Sequence, residues 1–396
     1  LVIKNNGACK NIWDFTEGIN MNFELDDLIS VAKRENNNKR KFLYVNPIQG
    51  KHIPVSPSKS MEMFSILAQK TEESYKNERL LIIGFAETAT AIGSAVAYMA
   101  KNAEYYISTT RESVENSEYL FFTESHSHAT EQKLAVKNFE NIIGNIDRIV
   151  FVEDEVTTGN TIKKLIDALN ERYPEYSLKF GIVSVLNSMS ENVLNEFKTK
   201  GIVCEFIGKI PFGYRINEIE NYSYKCFDSL KENFYSVNID KIFIDGYFNS
   251  RIVNDVNSMR ILSDRFVKKV IEKINLKNDR LKILILGTEE FMFQPMLLGY
   301  KIEKKYKNAE VKFHATTRSP IEISDDTGYP LNSRFSLESF YEEGRDTFVY
   351  NLLEYDNVFI VTDCKNINEK GMINLISALE KSNNKNISLI KWGEGR

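Results

Sequence analysis

Residues Ile149 to Ile166 read IVFVEDEVTTGNTIKKLI, where four apolar residues run into acids, then hydroxyls and a glycine, then an amphipathic stretch. The apolar run predicts a buried strand that delivers Glu153 and Asp154 to its carboxyl end. Thr157, Thr158, Gly159, Asn160 and Thr161 follow as a loop at the start of the next helix. A helix start carries amides without intrahelical partners and the positive end of the dipole, so a phosphate is its natural guest. Two neighbouring carboxylates accept hydrogen bonds from adjacent hydroxyls, as on the 2′ and 3′ positions of a ribose. Together these describe a sugar-phosphate site. The plain alternative is a strand–turn–helix whose turn is merely polar.

The segment resembles the signature with which type I phosphoribosyltransferases bind 5-phosphoribosyl 1-diphosphate (PRPP): a hydrophobic strand, an acidic pair, then a Thr/Gly phosphate loop. Glu155 departs from that pattern, which usually has a small or apolar residue there. Its carboxylate either adjusts the contacts to metal or hydroxyls or points to solvent. The resemblance implies that Glu153, Asp154 and Arg111 form the catalytic set, and that the loop after the first core strand holds the diphosphate. In this chain that loop offers Glu87, Thr88, Ala89 and Thr90, with Arg111 ending the next strand. Small residues, hydroxyls and free amides suit an anion close to backbone, and a forked, always-charged guanidinium suits it too. Glu87 is an odd neighbour for an anion unless it works through Mg²⁺ or orients the loop. Mg²⁺ is the implied cofactor, carried with PRPP, with Asp154 a candidate ligand. The stretch FFTESHSHAT carries two of the four histidines and is expected to be a lid, through Glu124, His126, His128 and Thr130. A two-histidine metal site there lacks an obvious third ligand. His52 either lines the acceptor side of the pocket or is structural.

These residues need a parallel sheet to bring them together. LLIIGF (Leu80–Phe85), AEYYISTTR (Ala103–Arg111), DRIVFVEDE and LKFGIVSVLN (Leu178–Asn187) read as strands, alternating with helices such as the one from about Thr90 to Lys101. That alternation predicts an α/β fold with helices on both faces of the sheet. The polar segment between Arg111 and Leu134 reads as a mobile loop. Residues 1–60 read as an N-terminal flap, with KFLYVNP and KHIPVSP as short edge strands limited by Pro47, Pro54 and Pro57.

A second α/β domain is expected over residues 241–396, after a transferase domain with its flap over 1–240. LLIIGFAET lies against ILILGTEEF, YYISTTRES against KFHATTRSP, and IDRIVFVED against YDNVFIVTD, in the same order. Thr-Thr-Arg recurs at Thr109–Arg111 and Thr316–Arg318, each after a strand. This points to a distant internal duplication. The second half has no Thr/Gly phosphate loop after Asp363, so it is not expected to bind PRPP. Yet Thr288, Glu289, Thr316, Thr317, Arg318, Ser319 and Asp363 all fall at carboxyl ends of strands, where ligands sit in open parallel sheets. A second small-molecule site and a structural module with Arg318 as an ion-pair partner both remain open; Arg345 and Tyr350 border the same face.

Taken together, GFAETATAIG, STTRES, the FFTESHSHAT loop, the acidic-pair loop and HATTRSP resemble a narrower group. These are the phosphoribosyltransferase-like proteins of bacterial tellurium- and stress-resistance gene clusters. Their C-terminal domain is named for a Thr-Arg-Ser-Pro motif, here Thr317–Pro320. That resemblance implies an orotate-phosphoribosyltransferase-like enzyme that transfers a phosphoribosyl group to a nitrogenous base in making a nucleoside-like metabolite, and a homodimer. A PRPP-sensing protein without turnover and a docking scaffold are the alternatives. At 396 residues about two to three domains are expected. The net charge of −4 argues against a nucleic-acid partner bound through bulk charge. No apolar run is long enough to span a membrane and none reads as a signal peptide, so a cytoplasmic location is expected. Cys9, Cys204, Cys226 and Cys364 are scattered and suggest neither disulfides nor zinc.

Overall fold

The computed structural model describes residues 23–35, 37, 40–122, 132–225, 239–274, 276 and 280–393. The chain begins with a short helix α1 (Leu25–Leu28) and a hairpin of β1 (Ser30–Lys33) and β2 (Phe42–Val45). Helix α2 (Pro57–Ser74) opens on a proline, whose fixed φ and missing N–H suit a first helical position. Then come β3 (Leu80–Gly84), α3 (Thr90–Met99), β4 (Ala103–Ser108), the small hairpin β5 (Tyr119–Phe121) and β6 (Lys133–Ala135), and α4 (Glu140–Ile143). The site strand β7 (Arg148–Val156) follows, then α5 (Asn160–Arg172), β8 (Phe180–Asn187), α6 (Glu191–Thr199) and β9 (Val203–Lys209). Residues 80–84 and 180–187 are buried throughout, as expected of central strands covered on both faces.

The second half supplies β10 (Asp240–Ile244), β11 (Asn254–Asp255), α7 (Val256–Lys273), β12 (Lys282–Gly287), α8 (Phe293–Lys305) and β13 (Glu310–Ala315). A hairpin of β14 (Arg334–Glu338) and β15 (Asp346–Tyr350) precedes β16 (Asn357–Thr362), α9 (Glu369–Lys381) and β17 (Ile387–Trp392).

The first sheet has the order β11-β4-β3-β7-β8-β9, parallel from β4 to β9, with β11 antiparallel at the edge. The second has the order β10-β17-β16-β12-β13, parallel throughout. The run β4-β3-β7-β8 therefore matches β13-β12-β16-β17, strand for strand and in chain order. The fold is α/β, and its second domain shares the topology of the first. After β10 joins the second sheet, the chain returns to the first through β11 before α7. One continuous apolar core runs through both halves, where α2 and α3 meet α7 and α8. A smaller core joins the flap, through Ala32 and Val45, to Ile321, Ile323 and Tyr350.

The KHIPVSP segment is a correction: instead of a strand it makes a single antiparallel bridge, Val55 to Phe313, on the far domain's β13. Pro54 and Pro57 cannot donate to a ladder, and the chain turns directly into α2. Among the described residues no helix is long and apolar enough to cross a membrane.

Candidate active site

Strand β7 carries the acids to the carboxyl end of the first sheet, with Glu153 opposite Ser184 and Glu155 opposite Leu186 on β8. Glu153 and Asp154 have no ion pair among the described residues; a Glu153 carboxylate oxygen accepts the Asp154 amide at 3.2 Å. Burial first, then the adjacent Asp154 charge, push the Glu153 carboxyl well above the usual range. Such an unneutralised oxygen pair fits ribose hydroxyls or a hard cation bridging to them. Among the described residues no preformed cluster of three metal-binding side chains occurs.

The Thr157–Thr161 loop follows at once. Gly159 caps α5 with φ +71°, and α5 has no side-chain cap at its start. Among the described residues the amides of Thr157, Thr158 and Gly159 have no hydrogen-bond partner, while Thr158 Oγ1 accepts the Asn160 amide at 3.3 Å. Thr158, Asn160 and Thr161 are exposed. An open helix start at the end of an acidic strand has the chemistry of a phosphate seat.

Glu155, the departure from the family pattern, turns to the flap: Arg40 donates to both its oxygens, at 2.8 and 2.9 Å. Arg34, beside Arg40 on the same hairpin, also lies close enough to Asp154 and Glu155 to feel their charge. The flap thus faces the acidic end of β7.

The loop after β3 is gripped from all sides. Thr109 Oγ1 accepts the Ala86 amide at 2.8 Å, and Gln49 donates to the Thr88 carbonyl at 2.5 Å. Ala89 caps α3, and Thr90 donates to the Glu87 carbonyl at 3.1 Å. The close approach of α3 to β3 needs Gly93, since a Cβ there would lie 2.6 Å from the Gly84 Cα. Glu87 is buried and pairs with fully buried Lys51, whose ammonium also donates to the carbonyls of Glu289 (2.7 Å) and Thr316 (2.9 Å). Burial alone would raise the Glu87 carboxyl, but Lys51 and then Arg318 hold it down at about 2. Arg111 differs from its neighbours. Its amide donates to Glu290 at 3.0 Å, but its guanidinium has no ion pair among the described residues and its buried Nε has no partner.

The second-half residues lie at the same cleft, because the carboxyl-end loops of both sheets meet. Thr288, Glu289, Thr316, Thr317 and Asp363 are all buried. Arg318 donates its amide to both Glu87 oxygens at 3.3 Å, its Nε to Glu289 at 2.8 Å, and pairs with Glu112. Arg345 binds Glu112 and Glu289, each at 2.8 Å. Ser319 is tied by its carbonyl to the Tyr350 hydroxyl at 2.7 Å. Asp363 accepts from Arg251 (2.7 Å), Tyr247 (2.9 Å) and Tyr341 (2.5 Å). His52 is buried, edge-on to the Tyr350 ring. Glu124, His126, His128 and Thr130 lie outside the described residues.

Lys51, Arg251 and Arg40, cations from distant segments with no motif around them, were missed from the sequence; the unmatched acids Glu87 and Glu155 were the hints. A groove of about 750 Å³ between β10, β17 and the start of α9 shares no residue with this site.

Residues 28–207 match the family model described as phosphoribosyl transferase, and residues 256–379 match the TRSP domain described as C-terminal to it. No curated protein matches. Similar solved structures include an adenine phosphoribosyltransferase from Rhodothermus marinus, 13% identical over 47% of this chain and 96% of that one, with a TM-score of 0.33. A hypoxanthine phosphoribosyltransferase from Staphylococcus aureus is 16% identical over 38% of this chain and 73% of that one, with a TM-score of 0.25. Orotate phosphoribosyltransferase from Mycobacterium tuberculosis is 13% identical over 46% and 89%, with a TM-score of 0.26. The chain carries a phosphoribosyl transferase domain followed by a TRSP domain, and with the former the glycosyltransferase class of activity.

Proposed function

We propose that this phosphoribosyltransferase uses Glu153 and Asp154 for the ribose hydroxyls of PRPP, the Thr157–Thr161 loop for its 5-phosphate, and Arg111 with residues 87–90 for its diphosphate. The observation that carries this is the acidic end of β7 leading directly into the uncapped start of α5. A nitrogenous base or base-like acceptor enters between the flap and the first sheet, on the side where Arg34 and Arg40 face the acids.

The new bond joins an acceptor nitrogen to the anomeric carbon. The bond that breaks joins that carbon to diphosphate, which leaves with the electron pair; the acceptor's proton passes to solvent. Positive charge grows on the ribose as the bond breaks, and the neighbouring carboxylates stabilise it. Arg111 stabilises the charge left on the leaving group. No side chain forms a covalent bond; holding both substrates in line supplies the acceleration. Mg²⁺ bound with PRPP would be held on the protein side by Asp154 and would supply positive charge to offset the leaving diphosphate. The resemblance to stress-cluster proteins supports a nucleoside-like product.

The test is diphosphate release from PRPP and Mg²⁺ across a panel of purine and pyrimidine bases, with Asp154→Asn as control. Release that needs one base and vanishes in the control supports a transferase and names its acceptor. PRPP binding without release under any base favours a sensor. Absence of PRPP binding refutes the site.

A further inference from the structure

The two halves can be superposed residue by residue through their registers. Gly84 pairs with Ser108 and Val152, and Gly287 pairs with Ala315 and Val361, so Ala86 corresponds to Glu289, Glu87 to Glu290, and Arg111 to Arg318. The hydrogen bonds agree. The Thr109 amide donates to the Gly84 carbonyl at 2.8 Å and the Thr316 amide to the Gly287 carbonyl at 3.1 Å. Thr109 Oγ1 accepts the Ala86 amide at 2.8 Å, and Thr316 Oγ1 accepts the Glu289 amide at 3.0 Å.

Contacts between the halves are reciprocal as well. Glu87 accepts the Arg318 amide at 3.3 Å, and Glu290 accepts the Arg111 amide at 3.0 Å. Corresponding residues meet across a pseudo-twofold axis, as the subunits of a symmetric dimer do.

Each equivalent of a ligand contact is closed in the second half. Where Ala86 offers no carboxylate and the Arg111 guanidinium has no ion pair among the described residues, Glu289 sits on Arg318 at 2.8 Å. The counterpart of Asp154 is Asp363, which is taken by Arg251, Tyr247 and Tyr341. Helix α5 starts without a side-chain cap, whereas α9 is capped by the Asn368 side chain.

We propose that the TRSP domain is a closed copy of the transferase core that acts on the open copy across this axis, with Glu290 the positioning residue for Arg111. Glu290 holds the Thr110 hydroxyl at 2.7 Å and the Arg111 amide, and is itself held by Arg251 at 3.0 Å. The Arg318 amide does the same for Glu87, and residues 320–322 pair with the flap, where the Pro320 carbonyl accepts the Glu35 amide at 3.1 Å and the Glu322 amide donates to the Lys33 carbonyl at 2.9 Å. One short segment thus sets both walls of the cleft. The inference rests on the diphosphate assignment proposed above.

The test measures diphosphate and ribose 5-phosphate binding separately, by calorimetry with Mg²⁺ on the full chain. Glu290→Ala is expected to weaken diphosphate by about three- to thirtyfold while ribose 5-phosphate binds as before. Glu290→Gln, which keeps an acceptor for the Arg111 amide, is expected to restore most of the loss. Hydrogen exchange at residues 108–112 should speed up in the alanine variant, with residues 157–165 unchanged. Unaltered diphosphate binding in Glu290→Ala overturns the inference, and so does an equal loss of both ligands, which marks a general folding lesion. Wild-type protein that binds neither ligand refutes the diphosphate assignment itself.

Discussion

Gly159→Ala separates the shape of the phosphate loop from general stability, because a second glycine provides its control. Gly159 and Gly201 share a left-handed backbone, with φ +71° and +73°. A side chain in that region costs about 1–2 kcal/mol, offset by about 0.4–1 kcal/mol from the stiffer unfolded chain. Only their surroundings differ. A Cβ at Gly159 would lie 2.8 Å from Phe197 Cε2 and 3.1 Å from Met189 Sδ, whereas nothing lies within 4 Å of one at Gly201. Phe197 and Met189 are each 1% exposed, so neither can swing out to solvent. Overpacking of this kind costs about 1–3 kcal/mol. Gly201→Ala should therefore cost about 1 kcal/mol and Gly159→Ala about 2–4 kcal/mol, read from the midpoints of urea unfolding at constant slope. Relief of the clash shifts the amides of residues 157–160, so ribose 5-phosphate affinity should fall about tenfold in Gly159→Ala alone. Equal stability losses in the two variants would refute the steric argument. Unchanged ribose 5-phosphate binding in Gly159→Ala would sink the phosphate loop.

Asp154→Asn should lower turnover by on the order of 10²–10³ with the fold intact, as measured by diphosphate release and circular dichroism. His52 and His314 are held neutral, at about 3 and about 4, mainly by burial. Their contribution to stability is present above pH 6.5 and is lost below it, by about 1.4 kcal/mol per pH unit for each ring. Glu112, Glu153 and Glu155 are shifted upward and run the other way. The measurement is therefore the difference in unfolding midpoint between wild type and His52→Gln/His314→Gln from pH 7 to 5, which should shrink as pH falls. Diphosphate binding should require Mg²⁺ and be lost in EDTA, while ribose 5-phosphate binding weakens far less; metal-independent diphosphate binding would mean that the protein's own cations suffice.

The repeating strands, the acidic pair, the glycine turn and the paired Thr-Thr-Arg motifs were legible in the sequence because each is a local pattern. The hydrophobic runs of β3, β7, β12 and β16 are continuous, and central parallel strands have no other way to be buried. What was not legible depends on contacts far apart in the chain. Lys51 reaches residues more than two hundred positions away, and its apolar neighbours suggested an edge strand. Arg251 sits in an irregular segment before α7 and reads as a surface cation until Glu290 and Asp363 close on it. Glu155 looked like a spare carboxylate; its partner Arg40 comes from the flap, 115 residues earlier. The fifth strand of the second sheet was also hidden, since β10 enters from the start of its domain and occupies the place that β9 fills from the end of the other.

The cleft between the domains is self-neutralised, and that decides how it can hold a diphosphate. Lys51, Arg251, Arg318 and Arg345 are all engaged with Glu87, Glu112, Glu289, Glu290 and Asp363. Removing a single partner from such a buried set leaves an uncompensated charge, at a cost of about 3–5 kcal/mol. The network is therefore poorly suited to opening and surrendering its arginines to a ligand. Among the described residues Arg111 is the cation here without an ion pair, and it acts on Glu87 only at a distance. One guanidinium and a few backbone amides can orient a diphosphate but cannot offset its several negative charges in a site of low dielectric. On the proposed diphosphate assignment, the missing positive charge enters with the substrate. The oxygen-rich end of β7, where Glu153 and Asp154 have no ion pair among the described residues, is the proposed place for it in the first sheet.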